Sequence, residues 1–240
     1  MFFVPWDFHL KNDATSAWFE LWMAPLNQFR LPLLFMISGM GVCFAVSHRT
    51  VKGFLKERTV RLLVPLIFGM FVIIPPQIYC ERQFKGAHFP SYFEFYKTVL
   101  EFVPYPKGNF SWHHLWYIIY IYVYSLICIP LLLFFKGQRS DLFKAKALAF
   151  FSKPGRIYAL GAPLLVSFYA LAPFFPVTHD LVNDWYNFSH SLILFVIGIF
   201  IISIDGFWNV LEKQRKAMLV AAGVPFAFLW LFVWGPPLKS

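Results

Sequence analysis

Leu62-Leu63-Val64-Pro65-Leu66-Ile67-Phe68-Gly69-Met70-Phe71-Val72-Ile73-Ile74-Pro75-Pro76-Gln77-Ile78-Tyr79 runs eighteen residues without a charge, with Arg58 and Arg61 before it and Glu81 and Arg82 after it. Wound as a helix this stretch is about 27 Å long, close to the roughly 30 Å of a bilayer's hydrocarbon core. Working outward, five more apolar stretches follow the same rule, so the expected spans are residues 26–47, 62–79, 114–135, 157–175, 189–204 and 217–234. Hydrophobic residues make up 59% of the chain and charged residues 14%, against about 25% charged in a soluble domain. The sequence therefore predicts an all-α fold, a polytopic transmembrane helical bundle of about six spans, organised as one membrane domain over 1–240.

Charge sets the expected orientation, because Lys and Arg resist translocation while acidic residues matter little. The connections after the first, third and fifth spans hold fourteen of the 21 basic residues, among them Arg49, Lys52, Lys144, Lys153 and Lys213. Those connections are read as cytoplasmic, and the one from Cys80 to Trp112 as outer. The net charge of +9 is then an orientation signal that calls for no nucleic-acid partner. The partner implied is the lipid bilayer. Trp18, Trp22, Tyr79, Trp112, Trp116, Trp185, Tyr186 and Trp234 sit at span ends and read as interfacial anchors. Cys43, Cys80 and Cys128 lack metal-ligand spacing and read as packing residues, so no metal is expected.

Polar groups near membrane depth are the candidates for chemistry. Arg30, beside Asn27 and Gln28, is placed near the outer end of the first span. Ser38, Gly41 and Ala45 form a small-residue stripe suited to close helix packing. Arg58 and Arg61 stand one turn apart, and two guanidinium forks on one face suit phosphate oxygens; ordinary positive-inside charge explains them as well. His113 and His114 point about 100° apart on a helix and make a poor metal pair. One of them suits proton transfer to an external hydroxyl, an interfacial hydrogen bond being the blander reading. His179, Asp180, Asp184 and His190 are expected on a solvated loop.

Three motifs in order, Phe29-Arg30-Leu31-Pro32-Leu33-Leu34-Phe35-Met36-Ile37-Ser38-Gly39, Arg58-Thr59-Val60-Arg61-Leu62-Leu63-Val64-Pro65 and His114-Leu115-Trp116-Tyr117, resemble the membrane-bound acyltransferase 3 family, and within it the glucan biosynthesis protein C-like branch. The resemblance covers nearly the whole chain. It implies transfer of an acyl group from a cytoplasmic acyl-CoA-type donor to a hydroxyl of a periplasmic or cell-surface carbohydrate, in the inner membrane of a bacterium. It implies no bound cofactor, acyl-CoA serving as donor substrate. It assigns Arg58 and Arg61 to the donor and His114 to a catalytic role. Arg30, Ser38, Gly39 and Trp116 are further family-motif positions.

The family also carries an Arg followed eleven positions later by an essential His on its first helix, and no His in this chain has that Arg. Met1 lies outside by the charge rule, with no signal peptide before it. The expectation is therefore a fragment truncated at both ends, lacking the family's C-terminal helices and preceded by about twenty residues that hold the missing Arg and His. Two other classes stay open: a glycan-precursor transporter or flippase, and an inactive membrane partner protein.

Overall fold

The computed structural model describes residues 17–47 and 49–231. They are mainly helical, with one isolated bridge between Pro104 and Phe110 and no strand among the described residues. The helices are α1 (Ala17–Ser47), α2 (Val51–Phe84), α3 (Tyr92–Val99), α4 (His113–Ile127), α5 (Ile129–Lys136), α6 (Asp141–Phe151), α7 (Arg156–Leu171), α8 (Trp185–Ser203) and α9 (Phe207–Leu229). Two compact units result: Leu55–Tyr122 in one, Leu21–Phe54 with Val123–Ser240 in the other.

The expected all-α fold is what forms, with fewer spans than six. Three helices are long and apolar enough to cross a membrane, Leu26–Ser47, Val51–Phe84 and Trp185–Ser203, or four if the pair α4 and α5 is one span bent by 51°. That bend falls at Cys128, just before Pro130, whose missing N–H leaves the Leu126 carbonyl without its helical donor. The expected span 157–175 is a 16-residue helix ending at Leu171. The expected span 217–234 is no separate element. Its residues continue α9, whose first half carries Glu212, Lys213, Arg215 and Lys216, and its end lies outside the described residues.

In the first unit, α2 is one helix with two π-turns, Thr59–Leu63 and Gly69–Ile73. Each sits just ahead of proline. Pro65 would clash with the carbonyl of Arg61, and Pro75 with that of Phe71, and widening the turn relieves both. Phe71 faces a harder case, because both residues four and five further on, Pro75 and Pro76, lack an N–H. Its carbonyl instead accepts a hydrogen bond of 2.9 Å from the Tyr96 hydroxyl. The connection after α2 thus lies against it: Phe95 and Val99 of α3 are fully buried with Ile74 and Ile78, and Ser91 caps α3 by accepting from the Glu94 N–H.

In the second unit, α1 and α8 cross backbone to backbone. A Cβ placed on Gly39 would sit 2.9 Å from the Phe195 carbonyl carbon, and one on Gly198 2.9 Å from that of Met36. One turn further along both helices, Cys43 Sγ lies 3.2 Å from Ser203 Oγ, so α1 and α8 run in the same direction. The small residues at this crossing are Gly39 and Gly198. Gly41, part of the expected stripe, faces open space. By contrast α7 is antiparallel to α8: Ile157 packs with Ile201, while Ser167 Oγ lies 3.3 Å from His190 Nδ1. Phe135, Phe143, Phe151, Phe200 and Phe207 form a chain of tilted and edge-on ring contacts that ties α5, α6, α8 and α9 together. Two expected interfacial anchors are inside instead: Trp116 is buried edge-on against Tyr120, and Tyr79 packs among Phe89, Tyr92 and Phe95.

Candidate functional site

Arg58 and Arg61 both lie on α2 where the first π-turn begins. A π-turn is wider than an α-turn, so residues three apart stand further round the helix from each other there than in a regular α-helix. Arg58 is half-buried, while Arg61 is exposed and pairs with Glu57 at 3.0 Å. That carboxylate is mostly buried, with 19% of its side chain exposed. A phosphate approaching Arg61 competes with it. Next to the pair, Thr59 Oγ1 donates to the Leu55 carbonyl and lies 3.2 Å from the Tyr122 hydroxyl.

His113 and His114 open α4 with a single 3₁₀ turn. His113 is held in place: Nδ1 lies 2.7 Å from Ser111 Oγ, and the ring stands edge-on to Tyr105 at 5.1 Å. His114 is exposed. The Leu115 side chain lies against Gly69 of α2 and fills the space that a Cβ there would take. Along α2 the step from Arg61 to Gly69 is about 12 Å. Arg58, Arg61, His114 and Trp116 therefore belong to one unit, with the two arginines and the exposed histidine about two turns of helix apart. Arg30, exposed, and Ser38 and Gly39 on α1 belong to the other. Gly39 acts there as a packing residue.

Two polar networks escaped the sequence reading. Arg82, at the end of α2, donates to Asn109 Oδ1 at 3.1 Å and to the carbonyls of Pro106 and Gly108, with its guanidinium over the Tyr105 ring. Glu81, almost fully buried, accepts from Lys85 and from the Tyr105 hydroxyl at 2.9 Å. Burial, then the bond to Glu81, pushes the Tyr105 hydroxyl up to about 12. These partners are 24 to 27 residues away in sequence, and no local pattern announces them.

The second network corrects the solvated-loop expectation. Asp184 is fully buried at the start of α8, accepting from the Thr178 N–H at 3.0 Å and from Asn187 Nδ2 at 2.6 Å. An Asp directly before an apolar helical run is a capping signal that the sequence did offer. Asp180 accepts from the Val182 and Asn183 N–H groups. Burial alone would push it up, and these hydrogen bonds outweigh burial, so its carboxyl titrates below the usual range. His179 shifts down because burial disfavours its charged form, with Asp184 opposing. Among the described residues no group of three His, Cys, Asp or Glu side chains converges to hold a metal.

Residues 2–238 match the acyltransferase domain family, acyltransferase 3, so the chain belongs to that family. Among curated proteins it is similar to glucans biosynthesis protein C of Escherichia coli K12, 23% identical over 141 residues, covering 56% of this chain and 33% of the relative. It is also similar to the protein of that name from Salmonella typhimurium, 21% identical over 216 residues, covering 86% and 53%. The chain spans one third to about half the length of these relatives. Comparison with solved structures finds no match.

Proposed function

We propose that this chain forms part of a multi-pass inner-membrane acyltransferase that moves an acyl group from a cytoplasmic acyl-CoA-type thioester to a hydroxyl of a periplasmic or cell-surface carbohydrate. The family match over residues 2–238 carries the reading. The relatives' printed name, glucans biosynthesis protein C, supports a glucan-type acceptor. Arg58 and Arg61 hold donor phosphates, since the planar guanidinium binds them through paired donors and carries its charge at any working pH.

In the reaction the acceptor hydroxyl oxygen attacks the thioester carbonyl, a C–O bond forms, the C–S bond breaks, and the thiolate leaves with the coenzyme. A base must take the hydroxyl proton. His114 is the exposed imidazole of this unit and takes that part here. A separation of about 12 Å along α2 between Arg61 and the level of Leu115 supports a reading in which a long carrier arm bridges the two roles.

The test is O-acylation of glucan by labelled acyl-CoA in inverted vesicles carrying the protein. Arg58→Lys with Arg61→Lys should raise the donor KM at least tenfold and leave insertion unchanged. Unchanged donor dependence overturns the assignment. The missing Arg-to-His signature favours one rival, a non-catalytic membrane partner, and transfer by this polypeptide alone would exclude it.

A further inference from the structure

We propose that residues 91–112 form a re-entrant segment that dips from the Phe84 end of α2 to the middle of the bilayer, holding open a water-filled recess down to the level of His114. The argument starts from α2. Between Arg61 and Glu81 lie nineteen uncharged residues, about 28 Å of helix against a hydrocarbon core of about 30 Å. The midpoint of that stretch is Phe71.

The connection after α2 reaches this midpoint. Phe89 and Tyr92 pack on Tyr79, and α3 then descends until the Tyr96 hydroxyl meets the Phe71 carbonyl. Phe102 and Phe110 both lie against the Phe71 ring, at 6.3 and 5.9 Å. Between them the chain turns back, and the turn at Pro106 and Gly108 hangs from Arg82. Leu115 then begins its helix beside Gly69. From Tyr79 to Phe71 the descent is roughly 12 Å.

Chemistry requires something at that depth. Pro75 and Pro76 deprive the Phe71 carbonyl of every helical donor, and an unsatisfied carbonyl in hydrocarbon costs several kcal/mol. Tyr96 supplies the donor. Irregular backbone at membrane depth is tolerated only when covered by protein or facing water, and the outer face of α3 decides for water: Glu94, Lys97 and the following Glu101 are all exposed, as is His114. Three charges turned toward acyl chains would be prohibitive. Exposed Phe93, Leu100 and Phe102 stand among them, an alternation of apolar and charged groups that suits a polar, ring-shaped ligand such as a sugar. This last step rests on the acyltransferase reading; the depth of the segment does not.

Spin labels on the full chain in lipid nanodiscs test it, with Cys43 and Cys80 replaced by Ser and the packed Cys128 retained. Val72→Cys should favour oxygen over a nickel chelate, as a lipid-facing midplane site does. Glu101→Cys and His114→Cys should favour the nickel chelate, and labels at Val72 and Glu101 together should show dipolar broadening. Oxygen preference at Glu101, absence of broadening, or an aqueous Val72 each overturns the proposal. A measurement on the native protein guards against a misfolded variant: hydroxyl-radical footprinting should oxidise Phe93 and Phe102 while sparing Val72 and Ile73. Because none of these readouts involves acyl transfer, a recess without activity and activity without a recess are separate results.

Discussion

Replacing Gly39 by Ala isolates the crossing of α1 and α8. The added Cβ would run into the Phe195 carbonyl oxygen and stand 2.9 Å from the carbonyl carbon and 3.2 Å from its Cα, where ordinary contact begins at 3.4 Å. Because the neighbour is backbone, no rotamer change relieves it, and the helices must part by at least about 0.5 Å, a displacement of the size that costs overpacked interiors roughly 1–3 kcal/mol. That is a shift of roughly 5- to 150-fold in the unfolding equilibrium. Gly198→Ala meets Met36 in the same way. Once one substitution has parted the helices the second costs little, so the double variant should lose clearly less than the sum. Gly41→Ala, with nothing within 4 Å, should be neutral or stabilising by up to about 1 kcal/mol. The assay is reversible unfolding in mixed micelles or steric trapping in bicelles. Equal losses at Gly39 and Gly41, or strict additivity of Gly39→Ala with Gly198→Ala, would refute the reasoning.

His114→Gln should lower acyl transfer at least tenfold more than His113→Gln in protein that inserts equally well; the reverse order assigns the proton to the wrong histidine. Tyr96→Phe should destabilise the first unit by about 1–3 kcal/mol, since it leaves the Phe71 carbonyl unsatisfied, and a change below about 0.5 kcal/mol would mean another donor serves it. Glu57→Gln should cost little stability, because its partner Arg61 is 72% exposed and such pairs contribute about 0–1 kcal/mol, yet it should lower the donor KM by removing the competing carboxylate. Acid should loosen the connection between α7 and α8. The neutral form of buried His179 is favoured, so its contribution is present above about 6.5 and fades as pH falls below that; Asp180, depressed by its N–H donors and close to Asp184, contributes above about 4 and fades as pH falls through its lowered value. Protection factors measured by hydrogen exchange should drop at the Thr178 amide between pH 7 and pH 4, and at the Val182 and Asn183 amides only between pH 4 and pH 2; unchanged protection over its own window would remove the group concerned from the account.

Periodicity and charge revealed the membrane helices well where an apolar run was continuous, as in 26–47, 62–79 and 189–204. They failed where a run hid a break: Pro130 divides 114–135, and the described part of 217–234 is the apolar half of a helix whose other half is charged. The π-turns ahead of Pro65 and Pro75 were written in the proline positions. What stayed illegible was tertiary. Gly39 and Gly41 look alike in sequence, and only the partner backbone distinguishes them. Buried Asp184 shows the converse, a polar residue in an apparently hydrophilic loop that folds inward because the Thr178 N–H and the Asn187 side-chain amide give it donors.

The antiparallel pair of α7 and α8 has an arithmetic of its own. Two helices packed side by side cover each other fully only where their lengths match, and beside the nineteen residues of α8 stand the sixteen of α7. Its sixteen residues look too few, but six of them, Arg156–Gly161, are wound as 3₁₀ helix. At about 2.0 Å per residue there and 1.5 Å over the remaining ten, α7 reaches about 27 Å, within a few ångströms of the hydrocarbon thickness. A tighter winding thus lets a short helix run nearly the full length of its longer neighbour.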